Sequence, residues 1–88
     1  MSASSIFDLR KSVPVIASFS KDGKLYPLYV RIDDMEYKIL SYVKLNKNSG
    51  GIVFECKIED YGICKSIYLF YSINETAWFL ISKYKPFT

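Results

Sequence analysis

Residues 67–81, IYLFYSINETAWFLI, constrain this chain more than any other stretch. They contain the only tryptophan, Trp78, and carry apolar residues on both sides of a polar break at Asn74 and Glu75. Two short apolar runs rich in aromatic and β-branched residues, split by a turn signal, predict two strands with both faces covered. These strands form the expected central hairpin. One face of it closes the core. The other, made by Tyr68, Phe70, Phe79 and Ile81, is a surplus that needs a cover, supplied either by the N-terminal segment or by a protein partner, including a second copy of the chain.

From Val13 the apolar period becomes two. Val13, Val15, Ala17 and Phe19 alternate with Pro14, Ile16, Ser18 and Ser20, and Asp22-Gly23 then supplies a pair that tolerates the positive φ of a tight hairpin turn. With Asp22-Gly23 as a two-residue loop, Phe19 faces Tyr26, Ala17 faces Leu28, Val15 faces Val30 and Val13 faces Ile32. All four pairs are apolar, so turn and alternation select one register. Pro14 and Pro27 fall on the opposite face, and each removes a ladder donor, so their strands are expected to open or bulge there.

A second loop at Asp33 and Asp34 pairs Ile32 with Met35, Val30 with Tyr37 and Leu28 with Ile39, and sets Arg31 opposite Glu36 as an exposed ion pair. The third strand is expected to continue on the core face through Ser41 and Val43 to Leu45, with Lys38, Leu40, Tyr42 and Lys44 outside. Residues 46–51, NKNSGG, give the longest loop signal in the chain. Residues 52–59 alternate cleanly, with Ile52, Phe54, Cys56 and Ile58 inward and Val53, Glu55, Lys57 and Glu59 outward, the pattern of a half-buried antiparallel strand. Asp60, Tyr61 and Gly62 turn the chain into the central hairpin.

Eighty-eight residues allow one small domain, which buries only about 60–65% of the surface its unfolded chain exposes. Half the residues are hydrophobic and 17% are aromatic, which excludes a disordered chain. The expected architecture is an all-β antiparallel meander of five to six strands, curled or barrel-like, with a short N-terminal helical turn. Residues 13–84 form the β domain, residues 85–88 a tail. Residues 1–12 are either a frayed tail or a helical turn that starts at Ser5 and lays Ile6, Phe7 and Leu9 over an open end of the core.

Asp22-Gly23, Pro27-Leu28, Tyr37, Gly50-Gly51, Phe54, Cys56, Leu69-Phe70 and Trp78-Phe79 together give residues 16–80 a pattern that resembles a family of small, uncharacterised proteins from Gram-positive bacteria. In that family an apolar strand ends in Asp-Gly, a Pro-Leu follows, and a Gly-Gly loop precedes an alternating strand and a Leu-Phe and Trp-Phe hairpin. The family has Gly at the second turn, where this chain has Asp34, and a tight turn of Gly and a basic residue before the last hairpin, where this chain has a longer connection from Glu59 to Cys64. The resemblance rests on turn and core residues. It implies a shared fold in a bacterial setting and lends no activity.

Catalytic chemistry requires a positioned nucleophile, base or charge stabiliser, and the chain has no histidine. Asp33 and Asp34 read as a turn. Cys56 alternates with core residues and reads as a small buried hydrophobe. Cys64, beside Lys65, reads as a plain thiol. The two cysteines are too far apart in sequence for a CxxC motif and have no histidine to complete a site, so neither a metal nor a cofactor is expected. The first residues lack the apolar core of a leader and no run is long enough for a membrane span, so a cytoplasmic protein with reduced thiols is expected.

Two functional readings remain. The first is a non-catalytic protein-interaction module that docks through Tyr68, Phe70, Phe79 and Ile81. The alternative is weak binding of single-stranded RNA or DNA on Tyr29, Arg31, Lys38, Tyr42 and Lys44, a mixed aromatic and basic surface on which bases can stack. Glu36 beside that patch and a net charge of only +3 favour the first reading.

Overall fold

A computed structural model describes residues 10–48 and 50–81, with side chains for residues 11–45 and 50–81. Among these residues the chain is all β. Eight strands, β1 (Arg10–Ser12), β2 (Val15–Phe19), β3 (Leu25–Ile32), β4 (Met35–Lys38), β5 (Ser41–Asn48), β6 (Gly51–Asp60), β7 (Ile63–Ser72) and β8 (Ala77–Ile81), form two antiparallel sheets. One has five strands in the order β1-β8-β7-β6-β5, the other three in the order β2-β3-β4. The expected helical turn lies outside the described residues except for Arg10–Ser12, which is strand.

Two arms of the chain enter both sheets. At the first bend the Val13 N–H donates to the carbonyl of Trp78 on β8 (3.1 Å), and the carbonyl of Pro14 accepts from the Arg31 N–H of β3 (3.0 Å). At the second, the Ile39 N–H donates to Leu28 O (2.8 Å) and the Leu40 N–H to Lys57 O on β6 (2.8 Å). Adjacent residues thus bond to different sheets, the device by which packed sheets turn corners. Six arms become eight strands, and the ladders define two sheets, not a single meandering sheet or one closed barrel.

The turns follow local chemistry. Asp33 and Asp34 have φ of 50° and 70°, the mirror-image conformation that matches the strand twist, and the register Ile32↔Met35, Arg31↔Glu36, Val30↔Tyr37 is the one the sequence selects. The connection after Glu59 is tight, not long. Tyr61 and Gly62 (φ 53° and 79°) join Asp60 to Ile63, with Glu59 opposite Cys64. Of the expected loop 46–51, residues 46–48 and Gly51 are strand, Asn48 pairing with Gly51.

The first hairpin corrects the expected register. Its loop has three residues, Lys21 to Gly23, closed by the Ser20 N–H to Lys24 O at 2.8 Å. The Ser20 Oγ accepts from the N–H groups of Asp22 (3.2 Å) and Lys24 (3.1 Å). Phe19 therefore pairs with Leu25 and Ala17 with Pro27, and a bulge between Ile16 and Ala17 restores Val15↔Val30. The consequence is that Leu25 and Pro27 are buried in place of Tyr26 and Leu28. The bulge does fall beside Pro27, where a donor is missing.

Inside, Ile52, Phe54, Cys56 and Ile58 of β6 and Leu69 and Trp78 of the last hairpin pack with Val13, Leu25, Val30 and Ile39. Phe54 is fully buried, its ring 5.6 Å from that of Trp78, which is 5.1 Å from Tyr71. Trp78→Ala should cost about 3–5 kcal/mol, a large share of the roughly 5–15 kcal/mol of a small domain. Chemical denaturation should show the variant substantially unfolded without denaturant, and a midpoint displaced only slightly would place Trp78 outside the core.

On the opposite face of the large sheet, Gly51 is required by close approach. A Cβ there would overlap the carbonyl oxygen of Tyr71 and come within 2.6 Å of the Phe70 ring. Gly51→Ala is expected to destabilise by about 1–3 kcal/mol through overpacking, measurable in the same denaturation experiment; an unchanged midpoint would mean that the β7 backbone at Tyr71, as well as the Phe70 ring, gives way freely.

Candidate functional site

Among the described residues β5 has one neighbour, β6, and so forms an edge of the five-stranded sheet. Its first five residues and Leu40 before them are all exposed, including Leu40 (52%), Tyr42 (40%), Val43 (58%) and Leu45 (39%). Four large apolar side chains on one unpaired edge are unusual, because an open ladder invites another chain to pair with it. From its middle onward β5 carries guards against this, Lys44 and a bulge between Lys44 and Asn46. No such guard lies between Leu40 and Val43.

The second bend decides which way these side chains face. Tyr42 is opposite Cys56 and Lys44 opposite Phe54, so both point to the core side of the sheet, and Val43, opposite Glu55, points away. This reverses the expected placement of Val43 and Leu45 in the core and of Tyr42 and Lys44 outside. The Tyr42 ring stacks on Tyr26 of β3 (5.9 Å, 7° between planes) and meets Phe54 edge-on (5.8 Å, 72°). Such pairs add about 0.5–1.5 kcal/mol beyond burial and tie the exposed edge to the core.

The structure therefore divides the five residues of the aromatic and basic patch. Tyr29, Arg31 and Lys38 share the outer face of the small sheet, Tyr29 opposite Lys38 and Arg31 opposite Glu36. Tyr42 and Lys44 lie on the other sheet's inner side. Tyr68, Phe70, Phe79 and Ile81 do sit together, Tyr68 opposite Ile81 and Phe70 opposite Phe79, but all four are half-buried. Beside them Val53 is buried as well, apart from the central core cluster. The face that needs a cover is thus partly covered, whereas the exposure of Leu40, Val43 and Leu45 is not expected from the sequence. The signal for them was the lysine-marked run 41–48 itself, since lysine inside an apolar strand marks an edge.

Next to the edge, a carboxylate joins the two sheets. Asp60, at the end of β6, accepts from the Lys65 ammonium (2.8 Å) and the Tyr37 hydroxyl of β4 (3.4 Å). The hydrogen bond and negative charge of Asp60 raise the Lys65 pKa. Partial desolvation, then the Asp60 charge, raises that of Tyr37. Both groups hold their protons more tightly in the folded state, so their stabilisation is complete below about pH 10 and lost as pH rises through the native values. Thermal unfolding between pH 9 and 11.5 should show a falling midpoint, and Asp60→Asn should flatten that fall. An equal slope in the variant would assign the loss to other groups.

The cysteines do not cooperate. Cys56 is buried, and burial followed by the Glu55 charge pushes its thiol up to about 12, which suppresses thiolate chemistry. Cys64 is exposed on the other face, opposite Glu59. Asp33 is bound by Lys11 at 2.9 Å in an exposed ion pair. Among the described residues no three Cys, Asp or Glu side chains converge as a metal site would need. No family model, no curated protein and no solved structure matches this chain.

Proposed function

We propose that this chain is a small, non-catalytic protein-interaction module that receives an extended segment of a partner protein along β5. The single observation that carries the reading is the unguarded stretch of that edge, with Leu40, Tyr42 and Val43 exposed on a strand that has one neighbour. Main-chain groups of an edge strand supply affinity in such recognition, and alternate side chains supply specificity. Val43 points to one side and Tyr42 to the other, so an added strand would meet an apolar contact on both faces.

The finer fold belongs to the same reading. The hydrogen bonds at the two bends support a curled, barrel-like arrangement in which the small sheet lies across the large one. The resemblance to the Gram-positive family supports a bacterial, cytoplasmic setting, and the absence of histidine supports a non-catalytic role. Single-stranded nucleic acid is the weaker alternative, because only Tyr29, Arg31 and Lys38 of its surface stay together, with Glu36 among them.

Val43→Lys tests the edge. Lysine is tolerated on exposed edge strands, and the variant should keep its stability within about 0.5 kcal/mol. A photo-crosslinking residue at position 43 should capture a partner that one at the exposed Glu59 does not, and Leu40→Lys combined with it should weaken that capture. If a second copy is the partner, sedimentation will show a mass that rises with concentration in the native chain and stays monomeric in Val43→Lys. A partner held equally by native and Val43→Lys protein would sink the proposal.

A further inference from the structure

At the end of the molecule formed by the β2–β3 loop and the β7–β8 turn, an open groove of about 520 Å³ lies between the two sheets. Its volume is within the range of small-molecule sites. The floor is apolar, formed by Leu25 of β3 and Ile52 of β6, both buried. Phe19, the last residue of β2, and Ile73, just after β7, stand at its rims, exposed by 68% and 48%. Neither loop needs an apolar residue there for its own turn. The Ser20 hydroxyl closes the first, and the Ser72 hydroxyl, accepting from the Glu75 N–H at 3.2 Å, closes the second.

Charge adds a direction. Lys24, just before β3, and Lys44, turned inward on β5 by the second bend, line the same groove. Their side chains have no ion-pair partner among the described residues. Asp22 lies on the rim beside Lys24, which leaves two cations against one anion around an apolar floor. A neutral apolar ligand would leave both ammonium groups unused, and a small hydrophilic anion would leave the floor and rims uncovered. We infer that this groove binds an amphipathic anion of small-molecule size, an apolar tail ending in a carboxylate. The tail lies between Phe19 and Ile73 over Leu25 and Ile52, and the carboxylate is held at Lys24 and Lys44. The inference stands apart from the β5 edge, since it uses the inner side of the molecule's end and none of Leu40, Val43 or the free ladder groups.

The wall residue Tyr71 connects the groove to a built-in reporter, because its ring lies 5.1 Å from that of Trp78, the chain's only tryptophan. Decanoate, decanol and decyltrimethylammonium carry the same tail on an anionic, a neutral and a cationic head. Titrated into the full-length protein below their micelle concentrations, they should rank in that order. Decanoate is expected to give a saturable change in Trp78 fluorescence and amide shifts concentrated at Gly23, Ile52 and Ile73. Lys24→Gln and Lys44→Gln should each weaken decanoate by about tenfold, the scale of one charged hydrogen bond, and leave decanol unchanged. Ile73→Ala should weaken both. Lys57→Gln, on an exposed part of β6 outside the groove, should change neither, and all four variants should melt as the native protein does. The inference is overturned by the absence of saturable binding, by equal affinity for the three head groups, or by amide shifts centred on Leu40 and Val43. The last result would move the ligand to the β5 edge and leave the interaction-module reading intact.

Discussion

The structure depends on two places where neighbouring residues hydrogen-bond to different sheets. At Val13 and Pro14 one residue donates to β8 while the next accepts from β3, and at Ile39 and Leu40 consecutive N–H groups donate to Leu28 and Lys57. A flat meander of six arms would leave one side of every strand in water, which an 88-residue chain cannot sustain with so few residues to form a core. Bending two arms lets the same strands cover one another. Pro14 suits its bend because it has no N–H to satisfy and its carbonyl alone completes the pairing.

The second bend also sets the chemistry of the surface. It reverses the alternation of the third arm, so that Tyr42 enters the space between the sheets. Tyr42 joins Tyr26 to Phe54, and Phe54 leads through Trp78 to Tyr71. This row of rings runs from β3 through β5 and β6 to the last hairpin. It anchors β5, which otherwise has a neighbour on one side only, and allows Leu40 and Val43 to remain exposed without the strand peeling away. The same reversal brings Lys44 from the outer surface to the groove at the molecule's end.

Much of this was legible in the residues, and the failures have physical causes. The turn at Asp33 and Asp34 and the alternation of β6 could be read directly, because short polar residues tolerate positive φ and because a one-residue slip would have exposed Phe54 and Ile58. The first hairpin misled because Asp22-Gly23 suits both a two-residue loop and the end of a three-residue one. The choice was made by the Ser20 hydroxyl, which takes two backbone donors. The bend at Ile39 and Leu40 had no glycine or proline to mark it. Its cause is tertiary, the pull of β6 on the Leu40 N–H, so the faces of Val43 and Tyr42 could not be read from sequence periodicity. With them went the aromatic and basic patch.

The second face of the central hairpin is where these strands of reasoning meet. Its aromatic pairs, Phe70 with Phe79 and Tyr68 with Ile81, are expected from the sequence to need a cover, from the N-terminal segment or from a partner. They are half-buried. The Phe70 ring leans over Gly51, so closely that a methyl group there would collide with it, and Val53 beneath is buried outside the main core. A half-buried face has less apolar area left to offer. β5 is the reverse case, an exposed apolar strand with open ladder groups and no guard over its first residues. Burial is favourable in proportion to the apolar area still in contact with water, and on β5 that area is carried by Leu40, Tyr42 and Val43, which is why the proposed docking is placed there and not on the hairpin's second face.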